Sequence, residues 1–249
     1  MTRFPIPDAS QDRVTVERSR MCCDTRPEAM HAENCLSWPA PGVYRADQMT
    51  HGHVARTTGD DIATAEAGAA ALLRLMGRDA ASDTGVTTTP ARFVKAMLEM
   101  GTSSTDPADI LGVTFDGVSY PSDQMVAVGP VPFVSVCEHH LLPFPGSAWI
   151  AYVPVGGRVV GLSKLPRLLD HFAAAPQVQE RLTSQVTDAI MSLLAPAGAA
   201  CLIRATHGCM SHRGVRKPGA NMVTSVLRGV FKDDPTTRAE FLALTRGES

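Results

Sequence analysis

From Ile62 through Ala65, Ala69, Leu72 and Leu73 to Met76, apolar residues recur three to four positions apart, a stripe that predicts an amphipathic helix. Asp60 and Asp61 are placed to cap its start, and Gly77 supplies a stop. Thr89-Pro90, a cap followed by a first-turn proline, predicts a second helix that turns Phe93, Val94, Met97 and Leu98 inward and ends at Gly101. Residues from Thr102 to Pro121 are rich in Asp, Ser, Gly and Pro and read as a loop. Short β-type runs follow: Met125 to Val128, Val131 to Val136, Ala148 to Val153 and Arg158 to Leu162, with Pro154-Val155-Gly156-Gly157 as a hairpin turn between the last two. Ser163 is read as the cap of a helix carrying Leu165, Leu168, Leu169 and Phe172 on its inner face. Pro176 is read as opening a longer one with Val178, Leu182, Val186, Ala189, Ile190 and Leu193 as its stripe. Two more strands, Ala199 to Ala205 and Val223 to Val230, precede a helix begun by Asp234-Pro235. Adjacent strands joined by short turns imply antiparallel pairing. The sum is an α+β fold: an antiparallel sheet with two long helices on one face, preceded by N-terminal helices.

This pattern divides the chain into three. Residues 1–56 lack periodicity and are rich in Pro, Asp, Arg, Thr and Ser, the composition of a disordered arm. Residues 57–120 read as an N-terminal helical region, and residues 121–249 as the sheet-bearing domain. Cys22, Cys23 and Cys35, with His31 nearby, fit no standard metal spacing and read as an inert or oxidisable tail. In 249 residues, 44% hydrophobic content is enough for a proper core. A formal charge of −2 argues against a general nucleic-acid surface. The six cysteines show no regular framework, which favours a reducing compartment. Met1-Thr2-Arg3-Phe4-Pro5 begins no apolar run of signal length, and no stretch is apolar enough to span a bilayer. The expectation is a soluble, cytoplasmic protein with no membrane partner.

One stretch carries unusual chemistry. Ser135-Val136-Cys137-Glu138-His139-His140-Leu141-Leu142-Pro143-Phe144 places a thiol, a carboxylate and two imidazoles at the end of an apolar strand. Buried without partners, such groups would cost several kcal/mol, roughly 2–7 for each neutral one. A metal removes that cost, and zinc is the usual ion for mixed Cys/His donors. No Cys-x-x-Cys pair is present; the other cluster of the right chemistry is His207-Gly208-Cys209. Cys137, His140 and Cys209 would make three ligands with a position left open for water, and His139 and His207 would stand beside them. Taken singly, each cluster also fits a buried free cysteine with a satisfied core histidine.

Four segments in order decide between these readings. Cys137-Glu138-His139-His140-Leu141-Leu142-Pro143-Phe144, Gly161-Leu162-Ser163-Lys164-Leu165, Gln177-Val178-Gln179-Glu180-Arg181-Leu182-Thr183 and His207-Gly208-Cys209-Met210, the last followed by Arg213-Gly214-Val215, resemble the GTP cyclohydrolase I family. The likeness runs from about Ile62 to Arg246. It implies a tunnelling fold (T-fold), in which sheets from several subunits close into a barrel, and a homodecamer with active sites shared between chains. It implies zinc as cofactor and GTP as substrate: the guanine imidazole ring is opened by water, formate leaves, and the rest rearranges to 7,8-dihydroneopterin triphosphate. A zinc ion lowers the pKa of its water to about 7, which suits attack at the purine C8.

His139 and His207 are the candidate proton-handling groups, because imidazole titrates near the working pH, and the resemblance sets Gln179 and Glu180 at the guanine edge. Arg92 and Lys95 match triphosphate-contacting positions, and Ser163, Lys164, Arg167 and Arg213 match phosphate- or ribose-contacting ones. Read from the residues alone, Arg92 and Lys95 share one side of a helix and could be a solvated basic face. Gln179 and Glu180 fall in a first turn, where the helix dipole favours acid in any case. Ser163 and Lys164 stand at a helix N-terminus, which attracts anions. The chain departs from the family near Ala220, where a serine is expected, at Ala173-Ala174-Ala175, where arginines are usual, and at Gly85-Val86-Thr87. Alternatives are a related purine- or pterin-pathway enzyme of the same fold, or a non-catalytic zinc-stabilised oligomer. A purely structural metal site would need neither His139 nor His207.

Overall fold

The near-continuous apolar runs Ala148–Val153 and Ala199–Ile203 suit strands covered on both faces, and a computed structural model places them at the centre of the sheet. The model describes residues 58–101, 103, 105–112, 114, 115 and 124–246, all within a compact unit spanning Gly42 to Ser249. The arm expected over residues 1–56, with its three cysteines, lies outside the described residues.

The elements in order are α1 (Gly59–Leu75), α2 (Thr89–Gly101), α3 (Pro107–Leu111), β1 (Thr114–Phe115), β2 (Val126–Cys137), β3 (Pro143–Val153), β4 (Val159–Val160), α4 (Lys164–Ala173), β5 (Pro176–Gln177), α5 (Gln179–Leu194), β6 (Gly198–Ala205), α6 (Gly208–Ser211), β7 (Met222–Gly229), α7 (Val230–Asp233) and α8 (Pro235–Leu244). Five strands form one sheet in the order β5-β2-β3-β6-β7. Side chains alternate across it. Ala148, Ile150 and Tyr152 of β3 and Ala199, Cys201 and Ile203 of β6 join the core under α4 and α5. Trp149, Ala151, Val153, Ala200 and Leu202 point the other way and pack with Phe231 and Phe241 of α7 and α8. Burial pushes the Cys201 thiol far up, so it behaves as a small apolar core residue.

Several expectations change. The sheet is mixed, because Pro176 and Gln177 pair parallel with Val136 and Cys137; Pro176 opens a short strand, and α5 begins only at Gln179. The two strands expected before Cys137 are one, with the register shifted between Val128 and Val131 around Pro130, which cannot donate to a ladder. Pro154–Gly157 does turn the chain, but β4 pairs antiparallel with β1 from inside the expected loop rather than continuing a hairpin with β3. A bond from the Val160 N–H to the Tyr152 hydroxyl, 2.9 Å, ties β4 back to β3. α1 is capped by Thr58: its hydroxyl accepts the Asp61 N–H at 3.2 Å while the Asp61 carboxylate accepts the Thr58 N–H at 2.9 Å, a reciprocal capping box. Ser163 occupies the cap position of α4 without a side-chain cap bond. Phe93, expected inward, is 45% exposed; Pro90 and Val94 are the buried residues of α2, and α1 buries none.

Candidate active site

Two chain reversals meet at one end of the sheet. In the first, β2 ends at Cys137, whose carbonyl accepts the N–H of His140 at 3.3 Å and of Leu141 at 2.8 Å, while its own N–H donates to Leu142 O at 2.9 Å. Closing so tightly puts Leu141 at φ 53°, a left-handed conformation unusual for leucine. The Glu138 N–H donates to Gln177 O at 3.0 Å, which fastens the turn to the lead-in of α5.

In the second reversal, β6 passes into α6 with His207 at the cap position. Here the backbones touch: a Cβ on Gly208 would stand 2.8 Å from Pro143 O, so a side chain there would push the two turns apart. The approach brings Cys209 to Cys137. Their sulfurs and a ring nitrogen of His207 all lie within 4.8 Å of one another. His140 Nδ1 is 3.8 Å and His139 Nδ1 3.9 Å from Cys137 Sγ.

Donor chemistry and spacing fit a divalent metal. With zinc–sulfur and zinc–nitrogen bonds of about 2.3 and 2.0 Å, ligand atoms on a tetrahedral ion stand roughly 3.5–3.8 Å apart. Burial raises the Cys209 pKa, and the adjacent Cys137 raises it further by charge and by a hydrogen bond. A cation between the sulfurs removes that repulsion.

His207 is held on two sides. Its ring stacks on Phe144 with centroids 4.4 Å apart and planes 4° from parallel, and Nε2 lies 2.9 Å from Gln179 Oε1. Burial lowers its pKa, and the Glu180 carboxylate works against that shift. Arg213 Nη1 reaches His140 Nε2 at 3.0 Å. Gln179, expected at the guanine edge, is fully buried and its amide is already committed; Glu180 beside it is exposed. Arg92 and Lys95 lie on the exposed face of α2, where Lys95 pairs with Glu99 at 3.8 Å. Ser163 and Lys164 stand at the start of α4 with Arg167 exposed one turn on. Among the described residues no hydrogen bond or ion pair joins Arg92, Lys95, Ser163, Lys164 or Arg167 to the cysteine cluster.

Residue-level reading missed a brace behind the turn. Glu138 forms an ion pair with Arg181, and Arg181 Nε donates to Gln177 Oε1 at 2.9 Å. Gln177 Nε2 in turn donates to Phe172 O at 2.9 Å and Gln185 Oε1 at 2.7 Å. His139 Nε2 is 3.8 Å from the other oxygen of Glu138. Glu138, Gln177 and Arg181 all lie within the motif segments, which was the available signal.

Residues 65–246 match the family model for GTP cyclohydrolase I. The chain belongs to the GTP cyclohydrolase I family. Its relative in Mycolicibacterium gilvum (strain PYR-GCK), GTP cyclohydrolase 1, is 47% identical over 199 residues, 78% of this chain and 96% of that one. The GTP cyclohydrolase 1 of Thermobifida fusca (strain YX) is 47% identical over 178 residues, 71% of this chain and 84% of its own length. That of Pelotomaculum thermopropionicum is 46% identical over 166 residues, 66% and 87% of the two chains. The family match contains both turns and every candidate site residue. Among the described residues no helix is long and apolar enough to cross a membrane.

Proposed function

We propose that the protein is a zinc-dependent GTP cyclohydrolase I of the T-fold type, cytoplasmic and assembled as a homodecamer with active sites shared between neighbours. The observation that carries the reading is the meeting of Cys137, His207 and Cys209 from two separate turns, with His140 Nδ1 3.8 Å from Cys137 Sγ, inside the family-matched range. Cys137, His140 and Cys209 hold the metal. His140, whose Nδ1 lies 3.8 Å from Cys137 Sγ, is the third ligand, and His207, whose Nε2 meets Gln179, is left for proton transfer. Zinc bound there supplies Lewis acidity, which brings the pKa of a water to about 7 for attack on an electrophilic carbon.

The rest of the work falls to side chains. Glu180 accepts two N–H bonds from the guanine edge, which a carboxylate can do at once. Arg92, Lys95, Ser163, Lys164, Arg167 and Arg213 bind the triphosphate and ribose, with α4 offering its N-terminal N–H groups. His207 protonates the purine nitrogen next to C8, which makes that carbon more electrophilic, and His139 serves the departing formyl group. Opening of the ring leaves a formamide; its hydrolysis releases formate, and the rearranged product is 7,8-dihydroneopterin triphosphate.

Incubation of the purified protein with GTP tests this, with formate and pteridine fluorescence as readouts and metal analysis alongside. Turnover with about one zinc per chain is expected. Zinc at full occupancy in Cys209→Ser, or GTP left intact by the wild-type protein, would reject the reading.

A further inference from the structure

Gln179 is the first residue of α5, yet its side chain is fully buried at the end of the sheet, where β6 meets β7. Its Nε2 lies 3.2 Å from Ile203 O, 3.1 Å from Met222 O and 3.1 Å from Thr224 Oγ1. The two carbonyls can only accept, so the amide cannot be flipped. Thr224 accepts as well: the Thr183 hydroxyl donates to Gln179 O at 2.7 Å, so in the 2.6 Å contact between the two threonines it is Thr224 that donates. Three acceptors on one side leave Oε1 facing His207 Nε2 at 2.9 Å. An amide oxygen only accepts, so Nε2 carries the hydrogen and the neutral ring keeps its lone pair on Nδ1. The parallel stack on Phe144 removes the remaining freedom, rotation about the ring's own axis.

We propose that Gln179 is a positioning residue: it fixes the orientation and tautomer of His207, leaving Nδ1 as the free nitrogen of the ring, and does not itself read the guanine edge. This rests on the reading of His207 as a proton-handling group, and leaves base recognition to Glu180. The arrangement is the general one in which a buried acceptor holds an imidazole by one nitrogen so that the other is presented.

The test combines kinetics with structure, using the zinc-loaded full chain and GTP. Gln179→Met removes the bonds at similar volume. A loss in kcat of roughly 10–100-fold is expected, the scale of a small misplacement of a reacting group, with KM for GTP little changed. Added to His207→Ala, the substitution should cost nothing further, since it acts through that ring. Crystal structures should show the ring turned out of the Phe144 stack. Gln179→Glu, the same shape and able to protonate toward the two carbonyls, keeps an acceptor for Nε2 and should retain most of kcat. A raised KM with kcat preserved, additivity with His207→Ala, or an unmoved ring in Gln179→Met would overturn the proposal. Should Gln179→Met not fold, Gln179→Glu decides: a ring still on Phe144 with KM unchanged supports it, and a raised KM with the ring in place rejects it. If the wild-type protein leaves GTP intact, the functional reading fails, and the ring position still decides what Gln179 does.

Discussion

The two ends of the described chain are built on opposite terms. At the catalytic end every element is held from several sides: the Cys137 turn by β5, the α6 turn by β3, and α5 by the sheet beneath it. In α1 and α2 the helices are as well formed locally, with a full capping box on α1, yet α1 buries no residue and Leu75 is 87% exposed. Local hydrogen bonding makes a helix; burial makes it contribute to the fold. The first region buries its core between the sheet and its helices, while the second leaves Leu72, Leu75 and Met76 exposed.

The sharpest way to break that contrast is in the core. Leu182→Ala on α5, at a site with no exposure, should cost about 2–5 kcal/mol in denaturant unfolding; a cost as small as that of a surface change would show the region to be loosely packed. Next comes Gly208→Ala. With Pro143 O in the way, the two turns must separate, so a loss of about 1–3 kcal/mol is expected together with reduced zinc content. Unchanged stability and zinc would mean that the close approach is not required.

The remaining predictions concern the N-terminal helices and are smaller. The Thr58 N–H and hydroxyl hold the Asp61 carboxyl below its usual range. A depressed folded-state pKa gives stability that is present above the unfolded value, about 3.9, and is lost as pH falls through the folded one. The start of α1 should therefore fray below about pH 4, read by hydrogen exchange, and Asp61→Asn should remove that dependence. Least of all, Leu75→Ser should change the stability of the dilute chain by no more than about 0.5 kcal/mol. In the proposed decamer the same substitution should lower the mass seen by light scattering; an unchanged mass would exclude the exposed α1 face as a subunit contact.

Elements with their own chemistry were legible in the sequence. Thr89-Pro90, Gly101 and Asp234-Pro235 mark real helix boundaries, and the apolar runs of β3 and β6 mark real strands. What escaped depends on partners distant in the chain. A two-residue strand such as Pro176–Gln177 has no period to read, and its pairing with Cys137 is invisible locally. β4 could not be separated from β3 without knowing that Thr114 and Phe115 return to meet it. In the site, the cysteines and histidines were readable from type and spacing. The burial of Gln179 escaped for the same reason as β5: a glutamine in a first turn gives no sign that two strand carbonyls and a histidine will close around it.

The split of the site between two turns also sets a timetable. Cys137, His139 and His140 are present once the first turn is made, whereas Cys209 arrives only after β6 has registered along β3, from Val153–Gly198 to Gly146–Ala205. A growing chain therefore carries Cys137 and His140 without Cys209 through the synthesis of some seventy further residues, on the order of several seconds at ordinary elongation rates. During that interval the Cys137 thiol lacks its partner sulfur. In the proposed zinc enzyme the two sulfurs stand together for the ion once that register is made.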